Sequence, residues 1–307
     1  MSCPEPSFSV HVDARNPGQF FACCGLLELA HRLWPGAEAW FDVKCRRFSV
    51  IAGDDEATLD QVVENLMRCE ISGLTEEERR ERDALESERR ALKKQNPAKT
   101  LASKSEIRRK ELGQRARAGA LRLADPVALL LDWWQTTDEE ATPKTWAGLQ
   151  EIHKIARSAQ EALEGIGDRT RLFDHGCVLR MPAEYRKQKT GGQKSVEPFY
   201  FDARRFSHPL DAGFSLDVLE AETIAHPAVE LLGLIGLQRF RPRPAPVKRS
   251  FDYWVWSWPL GAPAAAGVAS GSVPASISAR HRFALRFRDD QKRYKAFGWA
   301  TMIGDET

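Results

Sequence analysis

Hydrophobic and polar positions in the first seventy residues follow the patterns of short strands and helices. Residues 8–14 alternate apolar and polar side chains, as a half-buried strand does. Asn16 is a good N-cap, Pro17 suits the first turn, and apolar residues then recur at three- and four-residue steps. This pattern predicts a helix that ends near Trp34 and that Gly25 allows to approach a sheet closely.

Two short strand patterns lie within residues 39–53, and residues 54–69 read as an amphipathic helix. The resulting order of strand, helix, two strands and helix predicts an α+β fold. The sheet is then either ferredoxin-like, built on a split βαβ unit, or an irregular mixed sheet with packed helices.

Residues 74–123 are charged almost throughout and predict a protruding charged helical hairpin. Thr75 and Glu78 form a capping box at its start, Pro97 stops the first helix, and a second helix follows. The alternative is a solvated coiled arm, because few apolar positions are present to pack the hairpin.

The remaining chain divides less clearly. Helices are predicted over 125–134, 142–165 and 226–240, strands over 177–182, 198–206, 252–260, 281–287 and 295–302, and a flexible loop over 261–276. We therefore divide the chain into an N-terminal α+β domain (1–73), a charged hairpin insertion (74–123) and a C-terminal α+β region (124–307).

Composition places the chain among globular proteins. Of 307 residues, 42% are hydrophobic and 29% charged, no apolar run approaches the ~20 residues of a membrane span, and the N-terminus lacks a signal-peptide pattern. The expected compartment is the cytoplasm. The six cysteines contain no C-x-x-C pair, which favours buried free thiols over a metal site, and we interpret Cys23 and Cys24 as core residues.

Positive charge is concentrated in patches although the net charge is only +2. Residues 89–122 hold twelve Lys or Arg against two acids, an excess of 12 − 2 = +10. Residues 186–195 and 237–249 carry further cations and no acid. Such clustering is the electrostatic pattern of proteins that bind a polyanion.

Motifs for catalysis are scarce. The phosphate-binding, dinucleotide-binding, nucleophile-elbow and zinc-protease patterns do not occur. Asp174 beside His175, and Asp202 with His208, are weak acid–base candidates, and no carboxylate cluster suggests a metal nuclease. We expect no enzymatic activity, no cofactor and no metal.

Three segments are predicted to bind nucleic acid. The first is a Lys/Gly loop whose glycines free the backbone to approach a groove. The second places two arginines beside aromatic residues, and the third alternates arginines along an extended segment so that they project on one side. The predicted residues are Arg186, Lys187, Lys189, Gly191, Gly192, Gln193 and Lys194; Arg204 and Arg205; and Arg239, Arg241, Arg243, Lys248 and Arg249.

Three blocks of sequence resemble one known family. "NPGQFFACCGLLELAHRLWPGAEAWF", "PFYFDARRFSHPLDAGFSLD" and "PAVELLGLIGLQRFRPRP" occur here in the family's order and span about 60 residues. The family is the compact large-subunit-like protein of the Cascade effector complex in type I-U (also called I-G) CRISPR loci.

The resemblance implies a non-catalytic subunit of an RNA-guided DNA surveillance complex. Its partners would be the CRISPR guide RNA, target double-stranded DNA, other Cascade subunits and the helicase–nuclease, without membrane contact. Its roles would be protospacer-adjacent motif recognition, R-loop stabilisation and nuclease recruitment, while base pairing reads the sequence.

Other classes of function fit the sequence as well. One is a guide-RNA-binding or processing subunit with a ferredoxin-like fold, and another is a metal-dependent nuclease. A third is an assembly protein whose basic segments contact only other subunits.

Overall fold

The computed structural model describes residues 4–54, 56–96, 98–136, 138, 140–147, 150–185, 194–205, 222–274, 278–288, 292 and 294–304. Within these ranges the fold is mixed α/β, with several small antiparallel sheets and seven α-helices. The helices are α1 (Pro17–Leu33), α2 (Leu59–Arg68), α3 (Glu76–Gln95), α4 (Ser103–Ala118), α5 (Ile152–Glu161), α6 (Pro227–Arg239) and α7 (Ala262–Ala269). Among these helices none combines the length and the apolar character that a membrane span requires.

The described strands form four sheets. They are β1 (Phe8–His11), β2 (Glu38–Phe41), β3 (Arg47–Ile51), β4 (Ile71–Ser72), β5 (Leu121–Leu123), β6 (Leu129–Leu131), β7 (Cys177–Val178), β8 (Ile224–Ala225), β9 (Arg243–Pro244), β10 (Ser250–Trp256), β11 (Leu260–Gly261), β12 (Ser278–Phe287), β13 (Lys295–Phe297) and β14 (Thr301–Met302). The sheet orders are β1-β3-β2-β11, β13-β12-β10-β9 with β14 beside β12, β4-β5-β6, and β7-β8.

The predicted α+β class is confirmed, whereas the ferredoxin-like arrangement is not. Strands β1, β3 and β2 do adopt the order of a split βαβ unit around α1. Strand β4, which would join that sheet in a complete ferredoxin-like fold, pairs instead with β5 in a separate sheet.

Helices α1 and α6 pack directly against each other at the centre of the core. The side chain of Asn16 caps α1 by accepting a hydrogen bond from Gly18 N, as predicted. A Cβ atom on Gly25 would overlap the Leu232 carbonyl, and one on Gly236 would lie 2.7 Å from Gly25 N. Gly25 therefore admits the backbone of α6, and the expectation that it faces a sheet is wrong.

The aromatic core lies beside this helix pair. Phe20 stacks on Tyr253 with ring centroids 4.3 Å apart, and Trp256 meets Phe41 edge to face. The buried residues form one hydrophobic cluster to which the predicted segments 1–73, 74–123 and 124–307 all contribute. The domain boundaries themselves stay a prediction.

Two predicted helices are wrong or too long. Residues 125–134 contain strand β6, in which Leu129 and Leu131 are buried and Leu130 is exposed, an alternation of period two. Helix α5 begins only at Ile152, and the described residues 142–147 are non-helical and bury Trp146 against Trp133 and Trp134.

Two other predictions also fail. Residues 198–202 form no strand, since backbone N–H groups of Phe201 and Asp202 donate to the Glu230 carboxyl group, and residues 203–205 form a 3-10 turn. The predicted flexible loop over 261–276 contains helix α7, whose Ala262 and Ala265 are buried. Burial of these small side chains stabilises a helix that composition alone reads as a loop.

Candidate nucleic-acid interface

The second half of the charged hairpin, residues 89–122, carries the +10 excess of positive charge. Helix α3 begins with the predicted capping box, in which Thr75 Oγ1 accepts from Glu78 N and the Glu78 carboxylate accepts from Thr75 N, both at 3.1 Å. Helix α3 has no buried residue, and α4 buries only Leu112 and Ala116. The hairpin is therefore present as predicted, with little apolar packing to hold it.

Ion pairs between α3 and α4 take the place of apolar contacts. Arg109 Nη1 lies 2.6 Å from Glu86 Oε1, and Arg108 Nη2 lies 2.9 Å from Glu81 Oε2. Arg115 pairs with Glu78 nearer the base of the hairpin. The acids of α3 thus neutralise the cations of α4 that face it.

Six exposed cations at the far end of the hairpin form no ion pair within the described part of the chain. We call them the tip cations, and they are Arg90, Lys93, Lys94, Lys99, Lys104 and Lys110. Residues 89–110 hold nine Lys or Arg against one acid, Glu106, so this end of the hairpin is strongly positive.

A groove of about 450 Å³ opens between the two helices beside the tip cations. Its lining includes Lys93 and Lys110 together with the apolar residues Leu101 and Ile107, and Ile107 is 57% exposed. Cations next to exposed apolar surface suit a ligand that has both phosphates and bases.

The Lys/Gly loop can be placed only at one end. Arg186, Lys187, Lys189, Gly191, Gly192 and Gln193 lie outside the described residues. Lys194 is exposed, and its carbonyl accepts from Met181 N at 2.9 Å. The binding role of this loop stays a prediction.

Arg204 lies in a buried polar cluster rather than on an open strand. Its Nη2 is 2.6 Å from Asp202 Oδ2, and it also donates to the Phe173 carbonyl and to Asp174. For Arg205 only the backbone is described, within the 3-10 turn. Because its guanidinium binds Asp202, Asp174 and the Phe173 carbonyl, Arg204 has a structural role in holding these segments together.

The arginines of 239–243 do not share one extended segment as expected. Arg239 ends helix α6, and its guanidinium pairs with buried Glu28 of α1. Arg241 donates to the Trp133 carbonyl at 3.2 Å, whereas Arg243 is exposed on β9. The alternation in sequence does not place the three on one side, because the helix continues through Arg239.

Lys248 and Arg249 lie together at the turn before β10. Lys248 Nζ is 2.7 Å from Glu140 Oε1, and the Arg249 guanidinium stands over the Phe287 ring. Lys292 and Lys295, which the sequence analysis did not select, line the same pocket. Pairing of distant segments brings these four cations together.

A second group of ionisable residues is closed to solvent. Asn16 Nδ2 donates to Asp202 Oδ1 at 2.7 Å, and Asp202 Oδ2 lies 4.0 Å from His226 Nε2. Burial raises the pKa of Asp202, but hydrogen bonds from Arg204 outweigh it and hold the pKa below its usual value. Burial, followed by the charge of Asp202, raises the pKa of Glu230 to about 8.

This buried cluster holds the loop 199–204 against α1 and α6, while Arg204 and Asp174 line a pocket that opens to solvent. The expected partner of Asp202, His208, lies outside the described residues. Asp174 pairs with Arg171 and Arg204. Acid–base chemistry at these positions stays a prediction.

The prediction that Cys23 and Cys24 are core residues is confirmed, whereas Cys45 and Cys177 are only half-buried. Cys23 and Cys24 are completely buried, and burial raises both thiol pKa values well above their ordinary range. Over the described ranges, no group of three or more His, Cys, Asp or Glu residues is arranged to hold a metal ion.

The tip cations are the part of the interface that sequence reasoning located only as a region. Three arginines of α4, Arg108, Arg109 and Arg115, each pair with a glutamate of α3, and the sequence alone does not show which cations are paired in this way. No protein-family model, curated protein or solved structure matches this chain.

Proposed function

We propose that this chain is a non-catalytic, nucleic-acid-binding subunit of a type I CRISPR surveillance complex. The observation that carries the proposal is the set of six tip cations, exposed and without ion pairs in the described structure. Cations that form no internal ion pair lose little on binding phosphate, and the counterions they displace from nucleic acid supply the free energy.

The hairpin is well shaped for such contacts. Its first helix has 20 residues and is therefore about 30 Å long. Arg90, Lys93 and Lys94 lie on its last turns, and Lys99 and Lys104 follow across the connection. A narrow element of this kind can follow a phosphate backbone without reading its bases.

The resemblance of three sequence blocks to the large-subunit-like family supplies the more specific part of the proposal. The partners are then guide RNA, target duplex DNA, other Cascade subunits and the helicase–nuclease, and the protein acts in the cytoplasm without a cofactor. We place the tip cations on the phosphates of the target duplex, near the protospacer-adjacent motif.

A second candidate is a guide-RNA-binding or processing subunit with a ferredoxin-like sheet. The order β1-β3-β2 favours it, because the split βαβ unit is half of that fold. The two candidates differ in which nucleic acid the hairpin contacts.

The test replaces Lys93, Lys94 and Lys99 with Gln and measures binding of guide RNA and of target duplex, by the full chain and by the assembled complex. Loss of three phosphate contacts should weaken duplex binding and reduce the slope of log K against log salt by about 2–3. A matched control replaces three exposed cations elsewhere, Lys44, Arg47 and Arg68, and should leave both quantities unchanged.

If guide-RNA binding alone falls, the second candidate is favoured. If neither ligand is affected, or if the control variant loses as much, the hairpin does not bind nucleic acid. Cleavage of labelled nucleic acid by the parent chain with Mg²⁺ or Mn²⁺ would contradict the non-catalytic role.

A further inference from the structure

A small basic pocket lies where the turn before β10 meets β12, β13 and the segment around residue 140. Its volume is about 230 Å³. The pocket is lined by Glu140, Thr142, Lys248, Arg249, Leu285, Phe287, Lys292 and Lys295. Four of these residues are cations and one is an acid, so the lining has a charge of 4 − 1 = +3.

The one acid of the lining is already paired with one of the cations. Glu140 pairs with Lys248 at 2.7 Å, and both side chains are more than half exposed. Arg249 and Lys292 form no ion pair with any described residue. An exposed pair is easily exchanged, so Lys248 can leave Glu140 for a stronger anion.

Thr142 supplies an observation that does not depend on charge. Its residue surface is only 7% exposed, and its hydroxyl lacks a hydrogen-bond partner within the described structure. Buried hydroxyl groups are almost always paired, because an unpaired one loses its bonds to water. A hydroxyl left unpaired in the lining of a basic pocket is suited to donate to an anionic ligand.

Arg249 is held in position before any ligand arrives. Its carbonyl accepts from Leu285 N at 2.8 Å, and its guanidinium lies 4.8 Å from the centre of the Phe287 ring. Its φ of 59° places it in the left-handed region, where few arginines are found. The guanidinium is thus fixed over one wall of the pocket and loses little freedom on binding.

We propose that this pocket binds one phosphate group of a nucleic acid. Arg249, Lys248 and Lys292 provide the charge, and the Thr142 hydroxyl donates a hydrogen bond to a phosphate oxygen. This site is separate from the hairpin. The proposal rests on the proposed function in one respect, which is that the phosphate belongs to a nucleic acid. The phosphate is either a terminal 5′-phosphate or an internal phosphodiester.

The test uses the full chain and a short single-stranded oligonucleotide, prepared with a 5′-phosphate and with a 5′-hydroxyl. Thr142→Val removes only the hydroxyl and should weaken binding about tenfold. Lys292→Gln removes an exposed charge and should weaken binding severalfold, while Lys44→Gln is the matched control and should have no effect.

The two oligonucleotides distinguish the sources of the phosphate. A terminal site predicts that Thr142→Val affects only the 5′-phosphorylated strand, and an internal site predicts equal losses for both. If the parent binds the strands and Thr142→Val binds both equally well, the pocket is not a phosphate site.

Thermal unfolding separates this proposal from the hairpin proposal. Inorganic phosphate should raise the unfolding temperature of the parent relative to chloride at equal ionic strength, and should not raise that of Thr142→Val. This result supports the pocket even if the parent binds no oligonucleotide, in which case the proposed function alone fails. Equal responses of the two proteins to inorganic phosphate overturn the pocket.

Discussion

Two helix pairs in this protein are held together in opposite ways. Helices α1 and α6 are buried almost all round, and glycines bring their backbones into contact. Helices α3 and α4 are polar on nearly every face and are joined by arginine–glutamate pairs. The first pair belongs to the core and tolerates little change, whereas the second can carry a binding surface at little cost in stability.

The largest difference should appear when glycine is replaced by alanine in each pair. A Cβ atom on Gly236 would overlap the Phe21 carbonyl, so Gly236→Ala must push α1 and α6 apart. We expect a loss of about 3 kcal/mol or more in the free energy of unfolding, measured by urea denaturation. Gly113→Ala in α4 meets only the flexible Arg117 side chain and should stabilise by about 0.5–1 kcal/mol.

The prediction is that Gly236→Ala destabilises the protein and that Gly113→Ala stabilises it. Gly167 has open space around its Cβ position, so Gly167→Ala serves as a neutral reference. Equal effects at Gly236 and Gly113 would mean that the two helix pairs are not packed differently.

A smaller effect should appear in the pH dependence of stability. The pKa of Glu230 is raised from 4.5 to about 8, so the folded state keeps a proton that the unfolded state releases above about 4.5. Its stabilising contribution is therefore lost as pH rises towards 8. Burial lowers the pKa of His153 from 6.5 to about 4. Between these two pH values the unfolded state binds this proton and the folded state does not, so the contribution of His153 to stability increases as pH rises.

Between pH 6.5 and 8, His153 is neutral in both states, so in this range Glu230 alone of the two residues makes stability depend on pH. There the parent should lose about 2 kcal/mol of unfolding free energy, and Glu230→Gln should remove that slope. Asp252→Asn is the control, because burial raises the pKa of Asp252 but hydrogen bonds from Arg282 and Arg280 lower it further, below 3.8. A slope retained in Glu230→Gln would show that another group carries it.

The smallest effect should come from the ion pairs of the hairpin. Arg109 and Glu86 are 2.6 Å apart but partly exposed, at 16% and 30%. A double-mutant cycle of Glu86→Gln and Arg109→Gln should give a coupling energy below about 1 kcal/mol. A coupling of several kcal/mol would mean that the hairpin is part of the core and is not a tolerant surface.

Local sequence signals were sufficient to predict the helices whose ends are marked by capping residues or prolines. Asn16 with Pro17 located α1, the Thr75 capping box located α3, and the apolar run after Pro227 located α6. The same reasoning placed Cys23 and Cys24 in the core. It failed over 142–147 and 198–205, where burial against Trp133 or hydrogen bonds to Glu230 override local preference.

The sequence likewise predicted only part of the candidate interface. Charge counting located the basic hairpin, but it did not separate the arginines bound to Glu81 and Glu86 from the free lysines at the tip. It selected Arg204 and Arg239, whose guanidinium groups are bound to buried carboxylates. It did not select Thr142, whose relevance depends on its hydroxyl having no hydrogen-bond partner among the described residues.

By itself, then, the sequence determined which segments are helical by their own caps and periodicity, and where positive charge is concentrated. Only the tertiary structure decided which cations form no ion pair within the described ranges, which sheet each strand joins, and which pocket four cations share with Thr142. The physical reason is that caps and helical faces depend on neighbours within a few residues. Burial and charge pairing depend instead on groups up to about two hundred residues away, such as Glu28 and Arg239.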